Sequence, residues 1–200
     1  MSLIEAARAG SSQSVLESLQ AVCDARGLGD LSAHLADLAD LVSWDMAEVE
    51  RAIRTLPDGD SVVHRSGQHL ISIAGKRLRP MCVALASRLG TGPSEATTVF
   101  GVAVEMVHCA TLLHDDVVDL GEQRRSEPAA RTLYGNAASI FAGDWLLVEA
   151  LRRVRAVGVP GVLERLLDII DEMIFAEAIQ LENRGRIDAR MGTYMQVVEG

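Results

Sequence analysis

Apolar residues recur at three- and four-residue steps along most of this 200-residue chain, and that period restricts the fold more than any other feature. Leu31, Leu35, Leu38 and Val42 step by 4, 3 and 4; Met46, Val49, Ile53 and Leu56 step by 3, 4 and 3. Val99, Val102, Ala103, Met106, Val107 and Ala110 trace a third stripe, and Leu163, Leu166, Leu167, Ile170 and Ile174 a fourth. A helix of 3.6 residues per turn gathers such positions on one face. Strict apolar–polar alternation around Asn-Gly or Asp-Gly turns is absent, so β-hairpins are not expected. Leucine, alanine and glutamate are abundant and aromatics make up only 4 %, which suits close helix packing. The expected fold class is all-α.

Turn signals at Gly27–Asp30, Pro57–Asp60, Gly90–Pro93, Gly121–Pro128 and Gly158–Gly161 divide the chain into about seven helical segments. Residues 1–43 read as a leading helical section and residues 44–200 as one helical bundle. Trp44 and Trp145 are expected to anchor packing, Met173 and Met191 to fill core space, and Cys109 to act as a small buried hydrophobe.

Charge and cysteine usage narrow the function classes. With 28 acidic against 19 basic residues the net charge is −9, which opposes a dedicated nucleic-acid binder. No run approaches the roughly 18 uninterrupted apolar residues of a membrane span, so no transmembrane segment is expected. Cys23, Cys82 and Cys109 are far apart and lack CxxC spacing, which suggests neither a disulfide framework nor a zinc site. Met1–Glu5 lacks the basic-then-apolar pattern of a secretory signal. A soluble, cytoplasmic protein is the expectation.

The most informative stretch runs from Val104 to Asp119. On a helix, His108, Leu112, Asp115 and Asp119 share one face, because they step by 4, 3 and 4. Asp115 and Asp119 then project one turn apart, with Asp116 just off that line. Like charges at this spacing destabilise a helix by a few tenths of a kcal/mol. A hard divalent cation relieves that repulsion, and carboxylate-only ligation suits Mg²⁺, which also takes up waters and substrate phosphates. Arg124 and Arg125 follow closely, and paired guanidiniums can grip phosphate oxygens. Neutralising the acidic cluster or capping the helix end is the alternative role for them. Upstream, Gly75-Lys76-Arg77-Leu78-Arg79-Pro80 places three cations in four residues, which in an acidic chain points to a second polyanion. Neither a P-loop nor an EF-hand pattern is present.

In order and spacing, Gly75–Pro80, His108, Asp115-Asp116-Val117-Val118-Asp119 and Arg124-Arg125 resemble the trans-isoprenyl (polyprenyl) diphosphate synthases. Asn136 and Phe141–Leu147 resemble that family's next helix, and Glu177 with Gln180 its EGExxQ helix, Ala176 standing where glycine is usual. The resemblance implies an all-α isoprenoid-synthase bundle around a deep cavity, normally as a homodimer. It implies that Lys76, Arg79 and His108, assisted by Arg125, hold the diphosphate of isopentenyl diphosphate. It further implies that the aspartate-rich motif, Asp115 and Asp119 with Asp116 between them, binds Mg²⁺, and that Arg124 contacts the allylic diphosphate. The implied chemistry is ionisation of the allylic C–O bond followed by attack of the second substrate's double bond. His114 is expected to support or pack rather than to act as acid or base. Ala110 and Thr111, one turn before Asp115, are small where short-product members place bulky aromatics, so the expected product is a long polyprenyl chain. A bulky residue deeper in the cavity, such as Met106, is the alternative floor.

The sequence ends at Gly200, roughly where the family continues with a Lys-Thr pair and a second aspartate-rich helix. The resemblance therefore implies that about a third of a typical member is absent. The expectation is a fragment of an active synthase that, as 200 residues alone, binds diphosphates weakly at best and is inactive. A non-catalytic subunit supporting a partner is the competing reading. A class I terpene cyclase is a third, opposed by Gly75–Pro80 and His108, since a cyclase holds no second diphosphate.

Overall fold

Helix follows from the apolar period throughout. The computed structural model describes residues 15–57, 59–73, 75–90, 92–124, 127–185 and 190–199. Among these the elements are α1 (Val15–Ala25), α2 (Gly29–Arg54), α3 (Val62–Ser72), α4 (Leu78–Ser87), α5 (Glu95–Val118), β1 (Gln123–Arg124), β2 (Glu127–Pro128), α6 (Ala130–Tyr134), α7 (Asn136–Val157), α8 (Val162–Asn183) and α9 (Met191–Glu199). The expected turn signals mark helix boundaries among the described residues, though Gly29 and Asp30 already belong to the first turn of α2, and Gly135, at φ 90°, adds a break between α6 and α7. The fold class is all-α, as the period requires.

Three expectations need amendment. The division between residues 43 and 44 lies inside α2, because the step from Val42 to Met46 is again four and no glycine or proline intervenes. Of the leading section, residues 1–14 lie outside the described residues. The segment after α5 holds a minimal antiparallel pair, Gln123 opposite Pro128 and Arg124 opposite Glu127, too short to show alternation. Trp44 is 60 % exposed and Met191 71 %, so neither anchors a core; beside Trp44, Asp45 occupies the inward position at 1 %.

The chain forms two compact units that divide between Arg153 and Val154. In the first, α5 is the central element, packed by α2, α3, α4 and α6. Ser94 starts it with a capping box in which Thr97 Oγ1 accepts from the Ser94 amide at 3.0 Å. Val102, Met106, Cys109 and Leu113 of α5 are all essentially inaccessible. Each large apolar side chain so buried contributes about 1.5–3 kcal/mol. By length and composition α5 could also match a membrane span, but its neighbours on several sides make it a core helix. In the second unit α8 packs on α9, Ala176 is buried, and Leu167, Ile174 and Leu181 are exposed at seven-residue intervals.

Close approach of α7 to α5 rests on small residues. Ser139 donates its hydroxyl to the Leu113 carbonyl at 2.8 Å in a buried contact. His114 Nε2 lies 3.2 Å from the Ile140 carbonyl and 3.3 Å from Asp144 Oδ1, both acceptors, so it carries the ring proton. A Cβ on Gly143 would stand 2.4 Å from that nitrogen. Gly143→Ala is therefore expected to push the ring off its two acceptors, while stability changes little, because the ring is the free end of a partly exposed side chain and alanine favours a helix interior over glycine by about 1 kcal/mol. The NMR chemical shifts of the His114 ring measure this, and unchanged shifts would contradict the close-approach argument.

Candidate functional site

Two adjacent faces of α5 do different work. Val102, Met106, Cys109, Leu113 and Asp116 step by 4, 3, 4 and 3 down the buried face. His108, half-buried, and Asp115, half-buried, lie on the neighbouring face, and the exposed Asp119 stands at the C-cap with its amide donating to the Asp115 carbonyl at 2.8 Å. Leu120 then turns the chain at φ 57°. The last turn of α5 carries no basic residue, so Asp115 and Asp119 sit where the helix dipole is least hospitable to anions. Two carboxylates one turn apart at a dipole-opposed helix end suit a bound cation.

Asp116 belongs to a different interaction. Its side chain is 1 % exposed, and Oδ1 accepts from Arg124 Nη2 at 2.6 Å and Nε at 3.1 Å, while Oδ2 is buried without a hydrogen-bond partner. On sequence, Asp116 groups with the metal ligands and Arg124 with a substrate. In the structure the pair join each other, because residue 116 continues the buried stripe and β1 returns Arg124 across it. Gly121 makes room, since a Cβ there would lie 3.0 Å from Asp116 Oδ1. Arg131 donates to the Gly121 carbonyl at 3.1 Å, and His69 Nε2 lies 2.9 Å from the Pro128 carbonyl, so the hairpin is tied to α6 and α3. Among the described residues no group of three or more His, Cys, Asp or Glu is placed to hold a metal. Two carboxylates one turn apart nevertheless fit Mg²⁺, which commonly takes one or two from the protein and the rest from water and phosphate.

On sequence, Arg77 is one of three cations that point to a polyanion. It is 6 % exposed, and its guanidinium is divided among three partners: Nε to Glu50 Oε1 at 2.7 Å, Nη1 to Glu105 Oε1 at 2.9 Å, and Nη2 to the Ile71 carbonyl at 2.8 Å. Burial works to lower its pKa, but hydrogen bonds and charge from Glu50 and Glu105 hold it above the ordinary arginine value. Arg77 also adopts a left-handed backbone, φ 47°, as the N-cap of α4, at a cost of about 1–2 kcal/mol for a residue with a Cβ. Glu105 was a missed residue. The signal was present, as it is the only charged side chain between Glu95 and Asp115, histidine aside, on an apolar helix.

Lys76 and Arg79, flanking Arg77, are exposed. Lys76 lines a cavity of about 760 Å³ between α1, α2 and the start of α4, together with Met46, Glu50 and Arg77. Ala110 is 2 % exposed, and half-buried Thr111 donates its hydroxyl to the His108 carbonyl at 2.8 Å. Arg125 lies outside the described residues. In the second unit Gln180 donates to Glu177 Oε1 at 3.2 Å on an exposed surface.

Residues 60–200 match the family model for polyprenyl synthetase. Over 166 residues the chain is 34 % identical to octaprenyl diphosphate synthase of Escherichia coli (strain K12), covering 82 % of this chain and 51 % of that protein. It is 32 % identical over 168 residues to heptaprenyl diphosphate synthase component 2 of Geobacillus stearothermophilus, covering 83 % and 51 %. The crystal structure of a polyprenyl synthase from Caulobacter crescentus CB15, complexed with calcium and isoprenyl diphosphate, superposes with a TM-score of 0.76 at 32 % identity, covering 81 % of this chain and 50 % of that one. The chain thus spans about half the length of the relatives it matches.

The Asp116–Arg124 pair is asymmetric, and its variants should be too. Arg124→Met strands a buried carboxylate and is expected to approach the roughly 3–5 kcal/mol loss of a broken buried pair. Asp116→Asn leaves a guanidinium that is 31 % exposed and reaches water, so it should cost less. Urea midpoints of both single variants and the double variant test this; equal losses would contradict it.

Proposed function

The chain belongs to the polyprenyl synthetase family, and on that premise we propose that it is part of a prenyltransferase that joins isopentenyl diphosphate to an allylic diphosphate to make a long polyprenyl diphosphate. The observation that carries this reading is the carboxylate pair Asp115 and Asp119 at the anion-unfavourable end of α5. Exposed cations in an otherwise acidic chain accompany it.

Asp115 and Asp119 are the residues that would hold Mg²⁺. When bound, the ion stabilises negative charge gathering on the departing diphosphate. Asp116 contributes by fixing Arg124, whose guanidinium stays partly exposed and contacts the allylic diphosphate. Lys76, Arg79 and His108, with Arg125, take the diphosphate of the isopentenyl substrate. The allylic C–O bond breaks with its electron pair leaving on diphosphate; the isopentenyl double bond then forms the new C–C bond, and a proton is lost from the adjacent carbon. No protein nucleophile is required. The small side chains of Ala110 and Thr111, one turn before Asp115, would leave room for a growing tail. The octaprenyl- and heptaprenyl-synthesising relatives support the long-chain assignment.

Homodimerisation and a cytoplasmic location belong to the same proposal. The exposed seam of Leu167, Ile174 and Leu181 on α8 supports the first, and the three free cysteines are compatible with the second. One observation favours a second reading, in which this chain works with a different partner chain: the Geobacillus relative is component 2 of its synthase.

Calorimetric titration with an unreactive allylic thiodiphosphate, in Mg²⁺ and in EDTA, tests the reading. Binding is expected to require Mg²⁺ and to weaken at least about tenfold in Asp115→Asn/Asp119→Asn, equivalent to about 1.4 kcal/mol. Binding of equal strength in EDTA would sink the metal assignment. Labelled isopentenyl diphosphate with a farnesyl primer reads the product. Turnover by these 200 residues alone is expected to stay near background, and any product to be long, and shorter in Ala110→Phe; a farnesyl-only product from a shorter primer would overturn the length assignment.

A further inference from the structure

We propose that Arg77 is a positioning residue for the isopentenyl-side diphosphate: buried itself, it locks the exposed Lys76 and Arg79 beside the His108 turn of α5. The inference rests on the reading above, that these three residues hold a diphosphate.

Arg77 is the hub of three helices. Its fork reaches Glu50 on α2, Glu105 on α5 and the carbonyl of Ile71 in the last turn of α3, while its backbone caps α4. Glu105 precedes His108 by three residues, so the two are neighbours along α5. Pinning residue 77 to residue 105 therefore brings the start of α4 to the level of His108. The left-handed φ at residue 77 reverses the chain there, so Arg77 turns inward while Lys76 on one side and Arg79 on the first turn of α4 remain exposed. A glycine would adopt that backbone without strain. The strained arginine is explained by what its side chain must do, which is to offer donors in three directions at once. Lysine carries the same charge but lacks the planar fork.

A merely structural ion pair is available for comparison on the same helix. Arg88, just past the C-terminal end of α4, pairs with buried Asp45 of α2 and donates to the Leu41 carbonyl at 2.8 Å. It ties α4 to α2 as Arg77 does, but at the end away from Lys76 and Arg79.

The experiment is titration of the whole chain with inorganic diphosphate in EDTA, where a metal-dependent site is silent, alongside urea unfolding. Arg77→Lys is expected to raise the Kd about tenfold, in line with the sensitivity of positioned groups to small displacements. Glu50→Gln removes one prong at a partly exposed carboxylate and should raise it about threefold, which keeps the test open if Arg77→Lys does not fold. Asp45→Asn should lower stability while leaving the Kd unchanged. An unchanged Kd in folded Arg77→Lys, or in Glu50→Gln where Arg77→Lys does not fold, overturns the positioning role and spares the diphosphate reading. A Kd that rises in Asp45→Asn as much as in Arg77→Lys reduces the effect to general loosening and also overturns it. No binding by the unaltered chain overturns both the reading and the inference.

Discussion

The ion pair between Arg77 and Glu105 is the constraint on which the arrangement of the first unit depends. Two opposite charges, 6 % and 2 % exposed, meet at 2.9 Å among apolar helices. Removing Arg77 leaves Glu105 without its counter-charge, a loss of about 3–5 kcal/mol in typical buried pairs, whereas removing Glu105 leaves Arg77 its bond to Glu50. The full set of contacts, with Glu50 and the Ile71 carbonyl, answers the donors that the interior would otherwise leave unmet. That geometry also explains a backbone conformation that propensity alone opposes.

A second buried pair works by the same logic at the other end of α5. Asp116 and Arg124 fold the minimal hairpin back on the helix, with Gly121 cleared of a side chain where the chain turns. The outcome is a division of labour among three aspartates of one motif. One turns inward and organises the following loop; of the other two, Asp115 is half-buried on the last turn and Asp119 is exposed at the C-cap. Function in this unit is thus built from charges the fold uses internally and charges it leaves exposed.

How legible this was varies with the kind of residue. The stripes from Leu31 to Leu56 and from Val99 to Ala110 announced α2 and α5, and the Gly-Pro punctuation announced where helices stop. The segment 121–128 was legible as a loop but not as a hairpin, since two residues per strand carry no period. Trp44 misled because size suggests burial, whereas its phase on α2 points it outward and sends Asp45 in. The aspartate-rich motif was legible as chemistry. Its internal assignment was legible only in part: a step of three residues on from Leu113 puts Asp116 on the apolar stripe, but nothing in the residue order names Arg124 as its partner.

By itself, the sequence determined the helical class, the main helix breaks, the family and the motif that places two carboxylates one turn apart on α5. These are local properties, set by a 3.6-residue period and by the conformational habits of glycine and proline. Only the tertiary structure decided which of the charges are spent inside. Arg77 meets Glu50 and Glu105 across 27 and 28 residues of chain, and Asp116 meets Arg124 across a turn. Desolvation makes such pairing obligatory once the helices close over these groups, and which partner each finds depends on packing that no local pattern encodes.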